Sequence, residues 1–287
     1  MPLPAAIALA SGAALLALAF GAFAQGDAKR GLYLSQAAGC LGCHTEAREG
    51  APPYAGGRAI ATPFGTFYGP NITPHPQAGI GRWRESDFVR AMRDGVRPDG
   101  AHYYPVFPYP SYTKITDADL RDLWAYLRSL APSDRPSRPH ELRFPFGWRV
   151  LLWGWKWLFF RPGPFVPDPA KSAVLNRGAY LVEALGHCGE CHTPRNFLGG
   201  PKRDRHLAGA RMPDGKRAPN LTPARLKKLD DAELKDILRT AMTAEGDVLA
   251  ESMAEVVRNT TSRLTPADLD TVIAYLRSLP AIPDEPK

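Results

Sequence analysis

Apolar residues recur at helical spacing near the end of each of two similar halves of the chain. Leu120, Leu123, Trp124 or Tyr126, and Leu127 form one face of a helix. Thr116-Asp-Ala-Asp119 starts it with a capping-box-like pattern. Leu269, Ile273, Leu276 and Leu279 repeat that face behind Thr265-Pro-Ala-Asp268, where Pro266 takes the first helical position. Acids in the first turn and Arg near the last suit the helix dipole. A short helix is expected at the opening of each half, and middle helices over Glu85–Asp94 and Asp231–Met242. No stretch shows the alternation of a strand, so the expected fold class is all-α.

Two segments stand outside this pattern. Met1–Ala24 is almost wholly apolar and ends in Ala22-Phe23-Ala24, the small-residue pattern of a secretory signal peptide. No Lys or Arg precedes the apolar run, so an uncleaved anchor is the alternative. Ala131–Pro169 opens with Pro132, Pro136 and Pro139, a linker composition, then turns aromatic from Phe144 to Phe160. Trp148–Phe160 is too short to span a bilayer and carries Arg149 and Lys156. It is expected to be a buried wedge between the halves. Peripheral membrane contact is the second reading, and docking on a partner subunit would look the same.

The halves are one domain written twice. Arg30-Gly-Leu-Tyr-Leu34 returns as Arg177-Gly-Ala-Tyr-Leu181, Asn71-Ile-Thr-Pro74 as Asn220-Leu-Thr-Pro223, and Ala125-Tyr-Leu-Arg-Ser-Leu130 as Ala274-Tyr-Leu-Arg-Ser-Leu279. The offset is 147 residues at the first pair and 149 at the last. The expected organisation is a signal peptide over 1–24, a first domain over 25–131, a linker over 132–170 and a second domain over 171–287.

Composition changes the picture in three ways. The 29 Pro in 287 residues favour short helices joined by irregular loops, and 44% hydrophobic content argues against disorder. A formal charge of +7 suits steering toward an acidic partner protein, with nucleic acid a poor candidate in an exported chain. The 4 cysteines are wholly used by two motifs, Cys40-Leu-Gly-Cys43-His44 and Cys188-Gly-Glu-Cys191-His192. C-x-x-C-H attaches c-type haem: the thiols become thioethers on the vinyl groups and the His supplies the proximal nitrogen. A redox disulfide needs only C-x-x-C, and a zinc site needs further ligands at finger spacing. The expected cofactors are two covalently bound haem c, in two tandem cytochrome c-like domains, each with opening and closing helices crossing over a haem. Such haems are attached outside the cytoplasm, so the expected location is the periplasm, soluble or membrane-associated.

The chain resembles the cytochrome c subunit family of membrane-associated alcohol and gluconate dehydrogenases. The carriers are the two haem motifs, Thr62-Pro-Phe-Gly-Thr66 leading to Asn71-Ile-Thr-Pro74, Tyr104-Pro-Val-Phe-Pro-Tyr109 with Ser111-Tyr112, and the closing helices. The resemblance implies electron transfer from a dehydrogenase subunit toward a cytochrome, a quinone-linked complex or an oxidase. That family has three haem motifs and a membrane-binding tail. This chain has two motifs and stops at Lys287, soon after its last helix.

The halves differ in the sixth iron ligand. Met253, in a loop ahead of the last helix, is the expected ligand in the second domain, with Met212 the runner-up and Met242 read as core. At an offset of 146 the matching residue in the first domain is Phe107, which cannot ligate iron and stands where the resembling family has Met. His102, Met92 and His75 are the nearby candidates. The expected function is electron transfer from the first haem to the second. The alternative is a dihaem enzyme, a peroxidase or sulfur-compound oxidase, using an open or exchangeable position at the first haem, for which Glu46, Glu49 and His102 are acid/base candidates by nearness in sequence alone. Gas sensing at that position is a weaker third reading.

Overall fold

The computed structural model describes residues 26–213 and 215–284. The expected signal peptide over 1–24 lies outside the described residues.

The first half runs α1 (Ala28–Ala37), α2 (Cys40–His44), α3 (Glu85–Asp94), α4 (Tyr109–Tyr112) and α5 (Asp117–Ser129). Asp27 starts α1 by accepting from the amides of Lys29 and Arg30. Thr116 caps α5 through the Asp119 amide, as its sequence predicts. The linker carries α6 (Leu151–Phe159). The second half repeats the order as α7 (Ala173–Tyr180), α8 (Gly189–His192), α9 (Pro223–Leu226), α10 (Asp231–Thr240), α11 (Glu251–Asn259) and α12 (Pro266–Ser278), of which α9 is an added turn.

The all-α expectation needs a correction. β1 (Ala59–Thr62) and β2 (Gly65–Tyr68) form an antiparallel hairpin, and β3 (Glu141–Leu142) pairs with β2. A second hairpin joins β4 (Ala210–Arg211) and β5 (Arg217–Ala218). The first hairpin is made by its turn. Thr62 Oγ1 accepts from the Phe64 amide, and Gly65 takes a φ of +124°, which only glycine adopts readily. Strands of two to four residues are too short for alternation to show. A second correction concerns α10, which stops at Thr240. Ala241 turns left-handed at φ +61°, and Met242 lies beyond it, 45% exposed rather than in the core.

Between Arg177 and Cys188 the second copy has one residue more than the first has between Arg30 and Cys40. The surplus is absorbed as a π-helical turn over Leu181–Leu185, which continues α7.

In both halves the opening helix crosses the closing helix at glycine. A methyl group on Gly31 would sit 2.0 Å from the Asp122 carbonyl oxygen, and one on Gly178 2.0 Å from that of Thr271. One continuous apolar core runs through both crossings, from Leu34, Leu120 and Leu123 to Leu181, Leu185 and Ile273.

The aromatic linker is not a buried wedge. Leu152 of α6 packs on Phe67 and Tyr104 of the first domain. Lys156 Nζ donates to the carbonyls of Asp94 and Gly95, and Trp155 Nε1 reaches the Leu198 carbonyl of the second domain at 3.1 Å. The opposite edge is open: Trp148, Trp153 and Trp157 are 57%, 66% and 79% exposed. Alternate residues of a short helix cannot all face inward once Leu152, Trp155 and Lys156 have taken the protein side.

Candidate functional site

Both Cys-x-x-Cys-His segments lie on single helical turns, α2 and α8, each directly behind an opening helix. Their histidines are set by the same device. His44 Nδ1 lies 2.8 Å from the Pro70 carbonyl oxygen, and His192 Nδ1 2.7 Å from that of Pro219. A carbonyl only accepts, so Nδ1 carries the proton and Nε2 keeps its lone pair for a metal. Burial lowers both imidazole pKa values despite those hydrogen bonds, which favours the neutral ring that iron requires.

The Asn-x-Thr-Pro repeats hold these carbonyls in place. Asn71 is buried, accepts from the Thr73 amide at 2.9 Å and hydroxyl at 2.7 Å, and donates to the Ser133 and Arg135 carbonyls. Asn220 accepts from Thr222 in the same way and donates to the Ile282 carbonyl. From the other side, the His44 carbonyl accepts from Gly56 and the His192 carbonyl from Gly209. Pro70 and Pro219 were missed in the sequence because the group they supply is a backbone oxygen. The repeated Asn-x-Thr-Pro directly after them was the available signal.

The cysteines stand unpaired beside these histidines, Cys43 and Cys191 toward the surface and Cys40 and Cys188 half-buried. Burial pushes the Cys40 thiol up to about 11 and the Cys188 thiol up to about 12. A redox Cys-x-x-Cys needs a thiol pKa moved the other way. Among the described residues, no three His, Cys, Asp or Glu side chains gather as a metal site. Two thiols and one His Nε2 per motif fit a ring that brings its own nitrogen ligands and is tethered through its vinyl groups.

The two centres are cross-packed. α11 of the second domain lies against the first motif. A methyl on Gly42 would come 3.8 Å from Asn259 Nδ2 and 3.9 Å from Glu255 Oε1, and Arg58 beside that motif pairs with Glu255 at 2.5 Å. Reciprocally, α4 of the first domain lies against the second motif. Ser111 Oγ is 3.3 Å from Glu190 Oε1, and the Tyr112 ring meets that of His187, which directly precedes Cys188, at 5.4 Å. Cys43 and Cys191 are close enough for charge on one to raise the pKa of the other. A cleft of about 650 Å³ opens beside this junction, lined by Glu46, Arg58, Arg138 and the α11 residues Glu251, Glu255 and Arg258.

Met253 lies in the first turn of α11 rather than in a loop, half-buried on Ala241, Ala254 and Val257. Met212 lies in the β4–β5 hairpin, its amide bonded to the Lys216 carbonyl. Phe107 sits among Tyr103, Tyr109 and Tyr112. Met92 is buried in the core, and His75 caps its own turn by accepting from the Gln77 and Ala78 amides. Glu46 is no proton donor at neutral pH. Hydrogen bonds from Arg135 and Arg48 bring its carboxyl down to about 2.

Comparison with known proteins agrees with this geometry. The family profile described as cytochrome c matches residues 28–131 and 175–280. A protein of Cereibacter sphaeroides named diheme cytochrome c-type is 44% identical over 90% of this chain and 87% of its own length. Fructose dehydrogenase cytochrome subunit of Gluconobacter japonicus is 43% identical, over 88% of this chain and 52% of its own. Gluconate 2-dehydrogenase cytochrome c subunit of Pantoea cypripedii is 36% identical, over 92% of this chain and 63% of its own. The chain thus spans nearly all of the first relative and less than two thirds of the other two.

Proposed function

Because the chain belongs to the cytochrome c family and holds two covalently bound haem c groups, we propose that it carries electrons in the periplasm from a dehydrogenase-type donor to a respiratory acceptor. The haems supply one-electron redox chemistry. The chain supplies attachment through Cys40, Cys43, Cys188 and Cys191, a neutral imidazole at His44 and His192, and a fixed relation between the centres. One observation carries this reading: α4, which directly follows the Phe107 position, and α11, which bears Met253, each pack on the other domain's haem motif. A protein that handled each electron at one centre would not need that junction.

Electrons enter through the first domain and leave through the second. The support is the Met253/Phe107 difference, since a Met sixth ligand raises the potential of its haem. Resolved redox titration of the two haems tests the direction. The first centre titrates at the lower potential; equal potentials, or the reverse order, overturn the assignment. Relatives named as dehydrogenase cytochrome subunits favour a dehydrogenase as donor. Its check is rapid-mixing reduction of the holoprotein by such an enzyme with its substrate.

The open edge of the linker fits an anionic membrane surface. Trp148, Trp153 and Trp157 are exposed there, and the stretch from Arg143 to Arg161 carries no acid and four basic residues, of which Lys156 and Arg149 are engaged by the first domain and Arg143 and Arg161 flank the open edge. At 9 residues α6 is too short to cross a membrane, so contact by this edge would be peripheral. The holoprotein should co-sediment with phosphatidylglycerol vesicles, and Trp153→Ser with Trp157→Ser should release it. Failure to bind overturns this part, as does a dimer that the same substitutions dissociate.

A further inference from the structure

The two halves can be aligned by backbone as well as by sequence around the sixth-ligand position. Val96 bridges His102 as Met242 bridges Val248, and Gly100 and Gly246 occupy matching left-handed turns at φ +84° and +87°. Every one of these pairs is separated by 146 residues, the spacing that places Phe107 at the position of Met253. The surroundings differ in kind. Met253 rests on the small side chains of Ala241, Ala254 and Val257. Phe107 is gripped by rings, with centroids 5.2 Å to Tyr103, 5.8 Å to Tyr112 and 6.4 Å to Tyr109. A phenyl ring offers iron no lone pair.

Tyr109 Oη is buried without a partner, but its ring is packed against Gly95, Trp155 and Phe160. Three other neighbouring donors are engaged elsewhere. Tyr112 Oη donates to the Ala38 carbonyl at 2.7 Å. Met92 is packed in the core, and His75 Nδ1 holds two amides of its own turn. His102 is the strongest competitor, because its Nδ1 is buried without a partner. Its ring, however, packs edge-on to Trp153 of α6 at 4.5 Å, and Arg149 from the linker binds its carbonyl. The Val248 position that it matches lies on an exposed hairpin arm.

We propose that the chain gives the first haem no sixth ligand, and that this centre binds a small uncharged ligand of the carbon monoxide type while the second, held by Met253, does not. The proposal rests on the haem assignment above and on the Phe107 position, not on the direction of electron flow. Binding is simple coordination to reduced iron, with no electron or proton transferred.

The test uses the purified dihaem holoprotein, chemically reduced without oxygen and titrated with carbon monoxide. The expected result is uptake of one carbon monoxide per chain, and a high-spin magnetic resonance signal from one haem of the oxidised protein. Phe107→Met should abolish uptake and add a second far-red methionine-to-iron band. His102→Val should leave uptake unchanged. Two low-spin haems with no uptake in the wild type overturn the proposal, as does uptake that appears only in His102→Val. Should Phe107→Met fail to mature, the wild-type spin state and uptake decide alone. Failure of the electron-transfer reading is separately visible, as haems that no dehydrogenase reduces in a protein whose carbon monoxide uptake is intact.

Discussion

The histidine of each Cys-x-x-Cys-His motif is oriented by a backbone oxygen, and the loop that supplies that oxygen is held by one asparagine. Asn71→Ala would remove the acceptor of the buried Thr73 amide and hydroxyl and the donor to two part-buried carbonyls. Each group left unsatisfied costs about 1–3 kcal/mol. The expected outcome is a lowered melting temperature and reduced haem incorporation in the first domain, with the second domain's spectrum intact. Calorimetry and a pyridine haemochrome assay check both. The proposed Met253 ligation is checked by substitution as well: on it, Met253→Ala should lower the potential of the second haem and erase its far-red methionine band, leaving the first haem's potential unchanged. Cysteines and histidines at fixed spacing were legible because attachment chemistry requires those residue types. Their carbonyl partners were not, because any residue supplies a carbonyl and only loop closure decides which one arrives. Glu190 and His187, each beside a haem cysteine, were likewise invisible as interface residues until the halves were placed together.

Long elements announce themselves in sequence and short ones do not. α3, α5 and α12 repeat apolar positions over ten or thirteen residues, with threonine caps at the starts of α5 and α12, and each lies where its pattern predicts. The hairpins are too brief for periodicity, and Ala241 ends α10 left-handed without the glycine that would mark a stop. The crossings of α1 with α5 and of α7 with α12 follow from neither pattern but from single glycines. Gly31→Ala and Gly178→Ala would drive a methyl into backbone carbonyl oxygen, so each should destabilise by at least the ~1–3 kcal/mol typical of overpacking. Gly154 in α6 supplies the contrast. A methyl there meets nothing within 4 Å, so Gly154→Ala should stabilise by about 0.5–1 kcal/mol through helix propensity. Denaturant titration of the three variants separates close packing from propensity. A Gly31→Ala protein as stable as the wild type would refute the account of the crossing.

Across the whole molecule the duplication supplies a reciprocal lock. Tyr33 of the first domain donates to Asp268 of the second, and Tyr180 of the second to Asp119 of the first. Each acid is also held by its own domain's arginine, Arg177 or Arg30. Equivalent residues thus exchange partners across the junction, which is why one core runs through both halves and why the linker need not fill the space between them. Glu183 adds an asymmetric clasp: it pairs with Lys114 of the first domain and accepts from His206 and Tyr275 of its own. Burial pushes its carboxyl upward, but the His206 hydrogen bond and charge, with Lys114 and Tyr275, outweigh that and bring it down to about 2. Asp268 is likewise lowered: burial raises it, and its hydrogen bonds from Arg177 and Tyr33 more than compensate. A carboxyl whose folded value lies below its unfolded one stabilises fully above the unfolded value, near 4, and loses that contribution as pH falls through the folded value. The junction should therefore hold unchanged from neutral pH to roughly pH 4.5 and loosen between about 4 and 2. Solution scattering and haem-to-haem electron exchange, followed together on the holoprotein, should report the loss in that window. Glu183→Gln should weaken the junction at neutral pH and flatten part of its acid dependence, because the group that titrates is gone. Separation already near pH 6 would instead assign the dependence to a histidine and refute the role given to these carboxyls.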